Sequence, residues 1–489
     1  MAIDQSTQGS KVLLFDRLGH LVFKKSKSHR QVITKEGWIS HDLNEIYSNL
    51  LSLIHSTLNE LDSDDYIRGL GITNQRETAA AWSKTSGEPL TDAVVWQDTR
   101  SARLLSRLAT PSNKQKVYQK TGLPLSPYFS AAKFYWLLKE VPDVANAAST
   151  GDLCLGTIDS WLLYQLSNHS AFKTEPSNAC RTQLFNIKTQ QWDEELLKLF
   201  DVPAAALPEI VDSDALFGYT NFSGLMNELI PIHSILADSQ AALFGHACRE
   251  VGDTKITYGT GASIVVNIGK NPVQRIPNGL ANSIAWRCHG ECQYVIEGNV
   301  NYAGAVIKWL QDDVQLIDTP ADTEKMALRA NVHDQTYFVP AFSGLGAPYW
   351  EDRARAAFVG MSRTTGKNEI VKASLDGIAY QIDAILQSIR THYQMKICSI
   401  KVDGGVSKNR YLMQFQSNIS AATIWAASIQ EISALGTAWN AGNALNFFSA
   451  GNRQNILKYN VFSPKIDDQS RTALLKGWDS AIVCAKKST

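Results

Sequence analysis

Nowhere in the 489 residues does an apolar run approach the length of a membrane span, and the start lacks a charged segment followed by an apolar one. These absences predict a soluble, cytoplasmic protein without a membrane span. A surplus of charge is missing too: 47 Lys and Arg residues face 47 Asp and Glu residues, and no basic stripe is interleaved with aromatics. That balance argues against a nucleic-acid or anionic-membrane partner and for a small molecule. Cysteine is scarce: the seven scattered residues, an odd number, fit reduced thiols better than a disulfide framework. The one cluster, CHGEC at Cys288 to Cys292, has no second Cys or His pair at ligand spacing nearby, so no structural zinc is expected. A Walker A loop and a G-x-G-x-x-G fingerprint are also absent, which leaves a nucleotide-dependent oxidoreductase without support.

What the chain does have begins with MAIDQSTQGSKVLLFD, where Gln5 to Ser10 join two apolar runs in a tight turn that Gly9 eases. Residues 11–26 continue as a hairpin turning at Arg17 to Gly19. A helix follows with Asp42 as N-cap, Glu45 at the capping-box position and an apolar stripe from Leu43 to Leu58. YIRGLGITN and AVVWQD then read as strands with polar ends, and strands alternating with helices mean an α/β sheet whose ligands sit at strand ends. KITYGTGASIVVNIG repeats the opening pattern in the second half. This weak duplication places a boundary near Gly245 to Asp253 and predicts two α/β domains, 1–248 and 249–489, enclosing a cleft. Length alone favours two domains of roughly 240 residues.

Three turns rich in Gly, Thr and Ser lie at strand ends: DQSTQGSK at 4–11, YGTGAS at 258–263 and DGGVSKN at 403–409. Each alone is weak, but together they argue for a phosphate-rich ligand, best a nucleotide, held between the domains. The polar ends NQRET, VVWQDTR, SPYFS and ADSQ add a second group. Arg76 and Glu77 would point to opposite faces of a regular strand, where a surface ion pair is the ordinary outcome. With Trp96 and Tyr128 they are also what orients a small polyhydroxylated molecule. Asp238, opening the helix DSQAALFG, reads either as a helix cap or as a site carboxylate.

GITNQRET, VVWQDTR, TGLPLSPYFS, NACRTQLFNI, DSQAALFG, YGTGA, EGNVNYAGAVIKWL, YFVPAFSGLGAPYW, VDGGVSKNRYLMQFQ and ALGTAWNAG together resemble the FGGY carbohydrate kinases, most closely their glycerol-kinase branch, over nearly the whole chain. The resemblance implies two domains of the actin-like, ribonuclease-H-like ATPase fold, with ATP and substrate meeting in the interdomain cleft. It implies that Thr7, Gln8, Gly9 and Lys11 contact the ATP phosphates, that Thr260 and Gly261 clamp them from the other side, and that Gly304, Lys308, Gly405 and Asn409 hold the adenosine. Asp4 and Asp238 would place Mg²⁺, with Asp238 as the base and Arg76, Glu77, Trp96 and Tyr128 holding the acceptor. The expected reaction is phosphorylation of a primary hydroxyl of a small polyol or sugar, with a four- or five-carbon polyol or ketose as the alternative acceptor. A non-catalytic actin-like protein would keep the phosphate loops but has no use for the acceptor set. The sequence is compatible with a homo-oligomer.

Departures from the family pattern bear on the acceptor. The first loop, usually D-Q-G-T-T-S-S-R, here has Ser6, Gln8, Gly9 and Lys11 at four of its positions. Ser239 stands where the branch has Gln, and Ser263 where it has a Phe that closes the pocket. The segment FSGLMNELI lacks the Gly-rich basic stretch and the histidine through which some relatives are regulated. Relatives carry a few more residues before the position of Asp4, so either the first strand is short or the start lies upstream of Met1.

Overall fold

The computed structural model describes residues 1–273, 279–448 and 456–487. Its two large sheets repeat one plan. In the first half the strand Ala2–Gln5 pairs antiparallel with Gly9–Phe15, which pairs with Leu21–Ser28. On its other side Ala2–Gln5 pairs parallel with Leu70–Asn74, and that strand with Ile230–Ala237. In the second half Thr254–Tyr258 pairs antiparallel with Ala262–Gly269, then Glu291–Val300, and on the other side parallel with Ser399–Asp403, then Thr423–Ala427. The duplication read from two short motifs therefore extends over five strands in each half.

Local expectations hold with small corrections. Asp42 caps the helix Leu43–Leu58 by accepting from the backbone N–H groups of Asn44 and Glu45. Glu45 does not complete a capping box; its carboxylate accepts from the backbone N–H and Nε of Arg30. That helix fills one face of the first sheet, where Ile3, Val12, Ile72, Leu50 and Ile54 share a core with Trp82 and Trp161. In the second half the helix Lys367–Tyr393 lies on the equivalent face, packing Ile378, Ile382 and Ile385 against Ile256, Ile264 and Ile296. AVVWQD contributes only the two-residue strand Ala93–Val94, so Trp96 sits in a turn. Cys288 and Cys292 belong to facing strands as free thiols, and no group of three or more His, Cys, Asp or Glu suited to a metal exists among the described residues. Nor is any described helix long and apolar enough to cross a membrane.

The halves meet through the helices that follow their fifth strands, Asp238–Gly245 and Ile432–Ala444. At their crossing a Cβ on Gly436 would fall 1.8 Å from the carbonyl oxygen of Ala241, so only glycine permits this approach. Ile432–Ala444 then continues across the first sheet, where Thr437 Oγ1 donates to the carbonyl of Ile72 at 3.0 Å and Asn440 Nδ2 to that of Ser213 at 2.8 Å.

Candidate active site

The first sheet ends its parallel strands in a row. Asp4 is opposite Thr73, and Thr73 is opposite Leu236, so Asp4 and the chain leading to Asp238 lie two strand spacings apart, about 10 Å. Asp238 is the first residue of its helix, and the N-cap position belongs to Ala237. Its Oδ1 accepts from the backbone N–H of Ser239 at 2.6 Å and lies 3.7 Å from Arg76 Nε. The cap reading of Asp238 is thus not what the structure shows. The carboxylate is half-buried, and burial raises its pKa above the ordinary value, helped by Glu77 and opposed by Arg76 and Lys255.

Arg76 and Glu77 lie beyond the end of the strand Leu70–Asn74, so the alternation of a regular strand does not apply and both turn inward. Arg76 Nη1 donates to Glu297 Oε2 at 2.7 Å, and Arg181 Nε donates to Glu77 Oε1 at 2.7 Å. Arg181 Nη1 also lies 3.4 Å from Glu297 Oε2, and Gln240 Nε2 donates to Glu297 Oε1 at 2.8 Å. Two arginines and two glutamates, all buried, thereby neutralise one another beside Asp238. Against burial, which raises it, Arg181 and Arg76 hold the Glu297 carboxyl down to about 2.

Sequence reasoning did not assign Glu297, Arg181 or Gln240. Each nevertheless stands in a motif that carried the resemblance: Arg181 in NACRTQLFNI, Glu297 in EGNVNYAG, Gln240 in DSQAALFG. Charged and amide side chains inside otherwise apolar or small-residue segments were the available signal.

Trp96 and Tyr128 approach edge to face with ring centroids 5.5 Å apart. Trp96 Nε1 donates to Thr7 Oγ1 at 2.9 Å, which ties Trp96 to the turn between Gln5 and Ser10. Buried Lys133, on the helix Ser130–Glu140, donates to the carbonyls of Pro127 and Tyr128 and so fixes the Tyr128 turn. Within the turn between Gln5 and Ser10, Ser6 N donates to the Gly9 carbonyl at 3.0 Å, and Gln8 is exposed. Lys11 does not stand free: its Nζ lies 3.2 Å from Asp4 Oδ2 and 2.9 Å from Glu431 Oε2, linking the halves at the edge of the site.

The matching turn of the second half, 259–261, closes between the strands Thr254–Tyr258 and Ala262–Gly269. The carbonyl of Thr260 accepts from the N–H groups of Ala303 and Ala305, which seats the turn on the start of the helix Gly304–Asp312. Thr260, Gly304, Lys308, Gly405 and Asn409 line a single cavity of about 1170 Å³ in the second half. Gly261 does not line this cavity, and Asn409 also caps the helix Arg410–Ser420 through Leu412 N. Across the cleft Ser239 Oγ and Ser263 Oγ lie 3.4 Å apart. At its far end the Asp238 helix is fastened by His246, whose Nε2 lies 2.8 Å from Asp403 Oδ2 and whose carbonyl accepts from Lys401 Nζ at 2.6 Å.

The donor set suits Mg²⁺, which takes one or two carboxylates together with phosphate oxygens and water rather than an all-protein cage. Asp4 and Asp238 supply two carboxylates, one on either side of the strand Leu70–Asn74. Taken together, the site offers a carboxylate beside a charge-compensated polar network drawn from both halves and a roomy cavity behind a Gly-rich turn in the second.

Comparison with known proteins agrees with this geometry. Residues 1–245 match the N-terminal domain, and residues 254–445 the C-terminal domain, of the FGGY family of carbohydrate kinases. The chain is 41% identical over 486 residues to glycerol kinase 1 of Thermotoga maritima, covering 99% of this chain and 98% of that protein. It is 39% identical over 487 residues to glycerol kinase of Staphylococcus haemolyticus, covering 99% and 97%. Among solved structures it resembles glycerol kinase of Plasmodium falciparum with ADP, with a TM-score of 0.94 at 33% identity over 99% of this chain and 97% of that one. A ligand-bound xylulose kinase from Lactobacillus acidophilus shares the fold, with a TM-score of 0.87 at 21% identity over 100% and 99%.

Proposed function

Because this chain belongs to the FGGY family of carbohydrate kinases, we propose that the residues assembled around Asp238 transfer the γ-phosphoryl group of ATP to a primary hydroxyl of a small polyol, as in the glycerol kinases it resembles. The observation that carries this reading is a half-buried Asp238 carboxylate 3.7 Å from Arg76, beside the buried network of Arg76, Glu77, Arg181 and Glu297. Asp238 accepts the proton of the attacked hydroxyl, and its raised pKa brings it nearer to working pH, where a base is effective. The acceptor oxygen bonds to the γ-phosphorus as the bond from phosphorus to the bridging oxygen breaks, and its electron pair leaves with ADP.

Arg76, Glu77, Trp96 and Tyr128 hold the acceptor so that this oxygen points at the phosphorus; positioning supplies most of what such a transfer needs. Thr7, Gln8, Gly9 and Lys11 from one half and Thr260 and Gly261 from the other face the phosphates, while Gly304, Lys308, Gly405 and Asn409 surround the nucleoside. Mg²⁺, when bound, supplies charge neutralisation at the phosphate oxygens. Asp4 and Asp238 are the residues that would hold it, and Lys11 would leave Asp4 as the phosphates arrive.

Release of ADP that depends on an added polyol tests the reading. ADP release indifferent to every polyol would leave a nucleotide-binding protein without an acceptor site. The metal role has its own check. Asp4→Asn removes a carboxylate but keeps its shape, and it is expected to raise the Mg²⁺ concentration for half-maximal turnover by ~10–100-fold. An unchanged Mg²⁺ titration removes Asp4 from the metal site.

A further inference from the structure

The turn between Gln5 and Ser10 is held from behind by side chains that the mechanism does not use. His29 meets it with two donors: its backbone N–H donates to the Gln8 carbonyl at 3.3 Å, and its ring Nε2 to the Thr7 carbonyl at 3.0 Å. A carbonyl can only accept, so Nε2 carries the ring proton. Nδ1 is buried without a partner among the described residues and would be an orphaned donor in the other tautomer. Burial lowers the pKa of His29, opposed by the Thr7 carbonyl and Glu45, so the ring is neutral at working pH. His41 stands edge to face against that ring with centroids 4.6 Å apart, and Gln75 Nε2 lies 3.5 Å from His41 Nδ1. One peptide earlier in the turn, the Ser6 carbonyl accepts from Gln5 Nε2 at 3.2 Å and from Gln75 Nε2 at 3.4 Å. His29, His41 and Gln75 thus stand side by side on the carbonyl side of the turn. The peptide bonds from Ser6 to Gln8 are trans, and in a trans peptide the N–H points opposite to the C=O. Holding the Ser6 and Thr7 carbonyls on one side turns the N–H groups of Thr7 and Gln8 to the other. Neither N–H has a hydrogen-bond partner among the described residues. Two neighbouring free N–H groups on a turn are what an anion requires.

We propose that His29 is a positioning residue for the phosphoryl donor: its hold on the Thr7 carbonyl presents the N–H of Gln8, beside that of Thr7, to the ATP phosphates. The proposal rests on the phosphotransferase reading above, which puts Thr7 and Gln8 at the phosphates, and adds the residue that orients them. Without the ring donor the Thr7–Gln8 peptide is free to rotate, and ATP has to order it on binding. Adenosine carries no phosphate and is indifferent to that peptide, so the loss falls on ATP alone.

The test is titration calorimetry of the full chain with Mg²⁺ and no acceptor, giving Kd for ATP and for adenosine. His29→Phe keeps a ring of similar size against His41 and removes the donor. His29→Asn is polar, but its amide reaches only as far as Nδ1 of the histidine. Both should weaken ATP about tenfold, the scale of one buried carbonyl left unpaired, with adenosine unchanged within about twofold. His29→Gln, whose amide reaches as far as Nε2, should return ATP affinity to within about threefold of the unaltered protein. A loss for ATP of less than about threefold in both donor-free variants overturns the proposal. So does a glutamine variant no better than the phenylalanine one, or adenosine weakened as much as ATP, which would make His29 a residue of the fold alone. An unaltered protein that binds ATP no more tightly than adenosine would instead remove the turn from the phosphates.

Discussion

Replacing Asp238 by asparagine is expected to lower kcat by about 10²–10⁴-fold while leaving ATP affinity nearly unchanged. Asparagine keeps the size of the side chain and its acceptance from Ser239 N, so the helix Asp238–Gly245 should start as before. What disappears is a group able to take a proton beside Arg76. Because the N-cap position is Ala237, loss of the carboxylate costs no capping interaction, and a fall in kcat cannot be assigned to a frayed helix. Steady-state kinetics beside ATP titration by calorimetry separate the two quantities. Turnover within a few-fold of the unaltered protein would remove Asp238 from its role as base.

The second large effect is on stability. Glu297→Ala leaves the buried guanidinium groups of Arg76 and Arg181 facing each other without their shared carboxylate, and removing one partner of a buried ion pair costs ~3–5 kcal/mol. Glu297→Gln keeps the shape and one acceptor oxygen, so it should cost less, and the difference between the variants isolates the unfilled volume from the lost charge. The pH dependence carries the same signature. Held down to about 2 against an ordinary 4.5, Glu297 contributes its ion-pair stability fully above 4.5 and loses it as pH falls from there through about 2. Denaturant midpoints measured at neutral pH and between pH 4 and 3 check both statements. If Glu297→Ala unfolds at the same denaturant concentration as the unaltered protein, the network is not what holds the pocket together.

Local order was legible in the sequence because it is written in short patterns. The strand pair at the start, the cap at Asp42 and the Gly turns at 259–261 and 404–405 all follow from periodicity and from where glycine falls. Of the residues that the family resemblance led one to expect at the nucleotide, Thr260, Gly304, Lys308, Gly405 and Asn409 line one cavity, while Thr7, Gln8, Gly9, Lys11 and Gly261 do not. The buried charge network was not legible, since Arg76 meets Glu297 across 221 positions and Glu77 meets Arg181 across 104. No local pattern encodes that pairing. The adjacency of Arg76 and Glu77 even suggested opposite faces, and only the end of the strand at Asn74 lets both turn inward.

The passage of Ile432–Ala444 across the first sheet bears on how the protein can be divided. Ala434 and Ala438 pack on Ala2 and Leu13, and Leu435 and Trp439 on Leu236 and Leu243. A gene cut between residues 245 and 254 would therefore yield an N-terminal fragment with one sheet face stripped of its cover, and it should aggregate when produced alone. Supplying the remaining residues as a separate chain should return it to solution as a complex of two polypeptides. In that sense the molecule is a covalent heterodimer: its halves share one architectural plan, but each keeps part of its structure in the other's stretch of chain.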